Sequence, residues 1–237
     1  MKINYQPIGD QAIRIEFPKS SSAYIPSILT LLRQKDIYGV TDITPGLTTI
    51  TVYYQYPQTN YYRLEGILTK LLQNIDIEKA TGLLRKVIVP VLYDGPDLKE
   101  VADYHQKKVS TIIEEHTQPF YRVAMLGFLP GFPYLTGLSN YLHTPRRQDP
   151  RLLVDAGSVG IGGEQTGIYP INSPGGWNII GKTPLPLFQP ESKEPFLFQE
   201  GDTVQFISIT ETEWSSWVKK VNENRNWRKE IISHEND

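Results

Sequence analysis

Three arginines fall within one short loop, Pro145-Arg146-Arg147-Gln148-Asp149-Pro150-Arg151. A guanidinium fork matches the geometry of a carboxylate or a phosphate, so this spacing offers an anion site. A solvated basic loop is the alternative, although the bracketing prolines stiffen the run. Further on, Ser173-Pro174-Gly175-Gly176-Trp177 reads as a type II turn, with Pro second and Gly third. Successive N–H groups in such a turn can form an anion-binding nest. The competing reading is a structural turn with Trp177 plugging the core. For proton transfer, the candidates are His116, at the end of a capped helix, and Glu164 and Asp155 in the loop-rich region. A structural or surface role is the commoner fate of such a His116, and spacing alone does not pair the carboxylates. There is no G-x-S-x-G elbow, and no Ser is visibly paired with a His.

Two glycine motifs resemble nucleotide sites without their context. Gly176 to Thr183, GWNIIGKT, fits the P-loop pattern letter for letter. That motif needs a helix starting at its Lys, and Pro184 and Pro186 forbid one here. Gly157 to Glu164, GSVGIGGE, lacks the strand-loop-helix frame of a dinucleotide fingerprint. Close approach of backbone to a ligand or a partner chain is the better reading of its glycines.

These features all lie between Gly127 and Thr183, a stretch rich in Gly and Pro and interleaved with Phe128, Phe132, Tyr134, Tyr169 and Trp177. A disordered linker would be polar and would lack such aromatics. The stretch therefore reads as ordered loops lining a pocket or a partner surface.

The totals bound the function further. A chain of 237 residues allows one large or two small domains. A net charge of −2 argues against nucleic acid as a partner. Zero Cys removes disulfides, thiol nucleophiles and thiolate metal sites. The four histidines, His105, His116, His143 and His234, show no helix-face spacing, so no metal site is expected. No apolar leader and no long apolar run are seen, which makes a cytoplasmic protein without a membrane span the expectation.

The elements that must position the loops can be read from periodicity. Ile13, Ile15 and Phe17 alternate with Arg14 and Glu16 as in a half-buried strand. Ser20-Ser21-Ser22 offers caps for a helix carrying Ile25, Ile28, Leu29, Leu31 and Leu32. Val40 to Thr44 and Leu47 to Tyr54 read as strand, turn, strand. A second helix has Leu64, Ile67, Leu68, Leu71, Leu72 and Ile75 on one face, and Arg85 to Tyr93 is a strand whose Pro90 suggests an edge or a point where the strand changes sheets. Two β-β-α units ending in that strand resemble a split, ferredoxin-like α+β domain over residues 1–88. Gly95-Pro96-Asp97 caps a helix over Leu98 to Gln106, and Ser110 caps another over Thr111 to Thr117. Beyond Phe120 the short apolar runs read as an all-β barrel domain, 89–210. Glu211 to Glu230 then forms a C-terminal helix within 211–237, and Ser233 to Asp237 fray.

Several long motifs in order, GFLPGFPYLTGL, PRRQDPR and AGSVGIGGEQTGIYPINSPGGWNIIGKT, resemble the family called allophanate hydrolase subunit 1, or carboxyltransferase subdomains C and D. Gly9-Asp10-Gln11-Ala12, Asp42-Ile43-Thr44-Pro45-Gly46, Val89-Pro90-Val91-Leu92-Tyr93 and Gly201-Asp202-Thr203-Val204 extend the resemblance to roughly residues 3–209. The family includes the B subunit of bacterial ATP-dependent 5-oxoprolinase and the inhibitor of sporulation histidine kinase A. One departure is Asp155, where the family is expected to carry proline.

The resemblance implies a ferredoxin-like domain followed by a cyclophilin-like barrel. It implies a subunit that converts 5-oxo-L-proline to L-glutamate with ATP, and Mg, as co-substrate and with no organic cofactor. Its partners would be a C-type barrel subunit and an A-type subunit. The alternatives are an inhibitor that docks on a histidine kinase and, ranked lower, a component of urea or allophanate metabolism. On this reading Arg146, Arg147 and Arg151 hold anions, with Ser173, Gly175 and Gly176 as an N–H cradle. Phe128, Phe132, Tyr134, Gln165, Tyr169 and Trp177 line the substrate or the partner surface.

Overall fold

The computed structural model describes residues 3–73, 85–223 and 226–234. The chain falls into two compact units that divide between residues 83 and 84. In the first, β1 (Asn4–Ile8) and β2 (Ala12–Glu16) form a hairpin, followed by α1 (Ile25–Arg33), β3 (Val40–Pro45), β4 (Thr49–Tyr54) and α2 (Tyr61–Gln73). The strands run in the order β1-β2-β4-β3, every neighbour antiparallel. Period-2 alternation sends Ile13, Ile15, Ile50 and Val52 to one face. There they meet Ile25, Ile28, Leu29 and Leu32 of α1 and Leu64, Leu68 and Leu72 of α2. Ile75, assigned above to the second helix, lies outside the described residues.

The serines expected to cap α1 do not do so. Lys19–Tyr24 form a 3₁₀ turn, and α1 starts after Tyr24 without a side-chain cap. Pro26 in the first turn lacks an N–H, so one of the donors a cap would satisfy is absent. The strand expected to end this unit, β5 (Arg85–Val91), joins the second unit instead. In the first sheet the flank of β2 is already filled by β1, leaving no place there for a further strand.

The second unit is built on an eight-stranded sheet of order β12-β9-β10-β7-β6-β13-β5-β14. Its members are β5, β6 (Tyr121–Leu126), β7 (Pro133–Thr136), β9 (Ser158–Gly162), β10 (Gln165–Ile168), β12 (Asn178–Lys182), β13 (Thr203–Ser208) and β14 (Ile232–His234). Only β5 and β13 pair in parallel. Val87, Val89 and Val91 of β5 are buried, which suits a strand flanked on both sides. β14 covers only Arg85–Val87, so Pro90 sits where no partner needs its missing N–H on that flank. The sheet does not close into a barrel, but Leu92 beyond β5 and Lys182 of β12 exchange two 2.9 Å backbone hydrogen bonds. A separate two-stranded ribbon pairs β8 (Arg151–Val154) with β11 (Ser173–Gly175).

Two short helices, α3 (Leu98–Tyr104) and α4 (Val109–Thr117), link β5 to β6. Ser110 lies inside α4, which starts after Lys108 without a side-chain cap. The single C-terminal helix expected above is two, α5 (Glu211–Asn222) and α6 (Trp227–Ile231), followed by β14. Trp227 and Ile231 are buried while α5 has no fully buried residue, so breaking the helix lets two large apolar groups reach the core. Ser233 and His234 therefore pair in a strand rather than fray. Among the described residues, no helix is long and apolar enough to cross a membrane.

The sheet face away from the main core carries a second cluster, Phe132, Val154, Tyr169, Trp177 and Ile179. Glycines make room for its indole. A Cβ at Gly162 would lie 2.5 Å from the Trp177 ring, and one at Gly167 would lie 3.0 Å from it and 2.8 Å from the Pro133 carbonyl. Gly162→Ala is therefore expected to destabilise the protein by about 1–3 kcal/mol through overpacking, read as a lower urea midpoint.

Candidate functional site

Phe132, Tyr169 and Trp177 meet edge to face, with Phe132 centred 5.2 Å from Tyr169 and 5.4 Å from Trp177. With Phe128, Leu129, Tyr134, Arg146, Arg147, Pro150 and Ser173 to Gly176 they line an open cavity of about 460 Å³, whose floor we define as this packed aromatic group. Gly175 has to be glycine here, since a Cβ would fall 2.3 Å from the Tyr169 hydroxyl. Burial raises the pKa values of Tyr134 and Tyr169 above that of an ordinary phenol, so both remain protonated hydrogen-bond donors.

The basic loop is held by an interaction with no signature in residue spacing. Asp97 is buried and accepts four hydrogen bonds. Arg151 grips it with two nitrogens at 2.8 and 2.6 Å, Arg147 Nη1 reaches Oδ1 at 2.8 Å, and the Ile179 N–H reaches Oδ2 at 2.7 Å. Asp97 stands at the N-cap of α3, as expected, yet its side chain makes no cap bond there. Its oxygens are instead taken up by two guanidiniums and the Ile179 N–H, and bidentate pairing with a cation adds a second charge to the bond that a cap N–H lacks. Arg147 also reaches Glu100 at 3.2 Å. Pairing with Asp97 raises the Arg151 pKa.

The three arginines thus separate into two roles. Arg147 lines the cavity but is tied to Asp97, and Arg151 is tied there without lining it. Arg146 is exposed, has no carboxylate partner among the described residues, and lies 5.7 Å from the Trp177 ring centre. It is the cation this cavity presents.

Other expectations change. Ser173 to Gly176 is not a type II turn: Ser173–Gly175 is strand, and neither Gly175 nor Gly176 has a positive φ. Extended backbone points successive N–H groups to opposite sides, so it cannot converge them as a nest does. Gly176 instead accepts from the Arg147 N–H at 2.8 Å, closing the wall. The GWNIIGKT segment contains strand β12 and no helix. Glu164 is exposed in the β9–β10 turn, Asp155 is exposed after β8, and Gln165 is half buried on β10; none of the three lines the cavity.

His116 is not available as a base. It is fully buried and stacks on Phe206 at 4.5 Å. Thr166 donates its hydroxyl to the Gly160 carbonyl and so accepts from His116 Nε2, leaving Nδ1 to accept from the Tyr93 hydroxyl at 2.7 Å. This chain of hydrogen bonds fixes a neutral imidazole, and desolvation lowers its pKa to about 3. Sequence reading missed Asp97, because an acidic residue before a helix looks like any cap.

A family model described as carboxyltransferase domain, subdomain C and D, matches residues 3–198. The chain is 35% identical to the 5-oxoprolinase B subunit of Bacillus subtilis (strain 168) over 94% of its own length and 100% of that protein's. It is 40% identical to the 5-oxoprolinase B subunit of Haemophilus influenzae over 86% of its length and 97% of the relative's. A crystal structure of a longer chain, 33% identical, superposes with a TM-score of 0.74 over 85% of this chain and 40% of that one.

The buried groups make two expectations measurable. Asp97→Asn leaves two guanidiniums facing a neutral amide and should cost about 3 kcal/mol in urea unfolding, far more than an exposed Asp155→Asn control. For His116, the unfolded chain takes up a proton near pH 6.5 while the folded chain resists until about 3. Stability is thus complete above the unfolded value and should fall by about 1.4 kcal/mol per unit of pH below it. In His116→Gln, the difference between unfolding free energies at pH 7 and pH 5 should shrink by roughly 2 kcal/mol.

Proposed function

Because the chain belongs to the carboxyltransferase domain, subdomain C and D, family, we propose that it is the B subunit of an ATP-dependent 5-oxoprolinase. The observation that carries this is its 35–40% identity to 5-oxoprolinase B subunits over nearly the whole of both chains. The reaction opens 5-oxo-L-proline to L-glutamate while ATP is hydrolysed. A lactam carbonyl resists water, and phosphorylation of its oxygen makes the carbon electrophilic. The demands on protein groups are then positioning and stabilisation of negative charge.

The cavity suits part of that task. Its aromatic floor packs an apolar ring, Arg146 meets a carboxylate or phosphate, and the protonated Tyr134 and Tyr169 supply donors. Among the described residues its lining includes no carboxylate and no imidazole. This chain therefore binds and orients, while the base comes from a partner: a C-type subunit completing the cavity and an A-type subunit acting on the activated lactam. On the same reading the first unit is ferredoxin-like, with β1 in the place of the last strand, and the second is cyclophilin-like.

Glutamate formation from 5-oxoproline and ATP tests this directly. It should appear only when this chain is combined with both other subunits, and its absence from the full mixture of folded proteins would reject the reading. In that mixture Arg146→Ala should lower kcat/KM by about 10–100-fold, the value of one charge-assisted hydrogen bond. The melting temperature should not move, since Arg146 is exposed.

A further inference from the structure

We propose that Phe128 is a specificity-determining residue of this cavity, an aromatic ring held at its mouth by a strained turn so that it packs on the ring of the bound lactam. The proposal rests on the 5-oxoprolinase reading.

Phe128 has φ +68, one of two positive values at non-glycine positions among the described residues. The Leu129 N–H donates to the Gly127 carbonyl at 2.8 Å, two residues back, which defines a γ-turn with Phe128 at its centre. With a positive central φ this is the rare and strained form of that turn. Glycine adopts such a φ freely, whereas a side chain brings Cβ against the following carbonyl. The loop has glycine on both sides, at 127 and 131, yet carries a bulky ring at the strained position.

Such a conformation persists only where the surroundings impose it. Here the Gly127 N–H reaches the Phe132 carbonyl at 3.2 Å, and the Phe132 N–H reaches the Leu129 carbonyl at 3.0 Å. Phe132 is itself locked in the cavity floor at 1% exposure. Gly131, at φ +82, is packed against Phe196 and the Leu187 carbonyl. With both ends of the loop fixed, the middle is forced outward. Phe128 is left 64% exposed, its ring contact with the floor limited to an edge approach to Phe132 at 5.7 Å.

A ring so exposed gains the fold little apolar burial, while its backbone costs strain. Its surface is directed to what enters the cavity it lines. A five-membered lactam presents two flat, largely apolar faces and a carboxylate. The floor of Phe132, Tyr169 and Trp177 takes one face, Phe128 takes the other, and Arg146 takes the anion. An open-chain amide such as glutamine has no second flat face for Phe128, so this contact selects the cyclic substrate.

The test uses the reconstituted three-subunit complex with Phe128→Gly and Phe128→Leu. Phe128→Gly should raise KM for 5-oxo-L-proline about tenfold, the worth of one aromatic contact, with kcat changed less than about twofold. Phe128→Leu, which keeps apolar bulk, should raise it only about threefold. Relief of strain should leave the melting temperature of the Gly variant unchanged or up to about 3 °C higher, and assembly on size exclusion should be unaffected. An unchanged KM in an active complex would overturn the proposal and leave the 5-oxoprolinase reading intact. A melting temperature lowered by more than about 5 °C, or loss of assembly, would also overturn it, making Phe128 a structural or partner contact. If the wild-type complex forms no glutamate, the function fails first and this proposal with it.

Discussion

The second unit depends on one buried carboxylate shared between two arginines. Asp97 enters α3 from the loop after β5, and its oxygens hold Arg147, Arg151 and the backbone of β12 together. Burying a carboxylate is costly unless it is fully paired. Four donors meet that demand, and in doing so they fix the loop that carries Arg146. The cavity wall is therefore positioned by a group that does not line the cavity.

Glycines perform a matching task on the floor. Gly162, Gly167 and Gly175 are needed because aromatic rings occupy the space a Cβ would take. Their number, which in the sequence suggests backbone approaching a ligand or a partner chain, here reflects close packing against the protein's own aromatic rings. Strand β9, from Ser158 to Gly162, is buried at every position although two of its residues are glycine. The cavity is consequently backed by a closely packed surface, which suits it to orienting a ligand.

The contrast between His116 and Arg146 shows how residue type misleads without context. Imidazole is the usual choice for proton transfer, yet the histidine in the main core is bonded on both nitrogens and held neutral. Arg146 looks equivalent to its two neighbours in the sequence, and differs from them because Asp97 has no room for a third guanidinium. Chemistry available to a side chain is set by what its neighbours have already claimed.

Periodicity was enough to identify α1, α2, β2, β4 and β5, because alternation and helical spacing follow from local geometry alone. Residue types and their crowding between Gly127 and Thr183 drew attention to the aromatics and the three arginines without separating Arg146 from the other two, and the prolines after Lys182 were enough to reject a P-loop. Long ordered motifs placed the chain in its family. Three things required tertiary structure. β5 leaves the first unit because β1 has taken its place, a competition between strands distant in sequence. The Ser173–Gly175 turn becomes strand because β8 offers it hydrogen bonds. Asp97 meets Arg147 and Arg151 across a separation of about fifty residues, as the bonded pairs record. Local sequence sets what each segment prefers on its own; which partner satisfies a buried charge or an open strand edge is decided only when the whole chain competes for it.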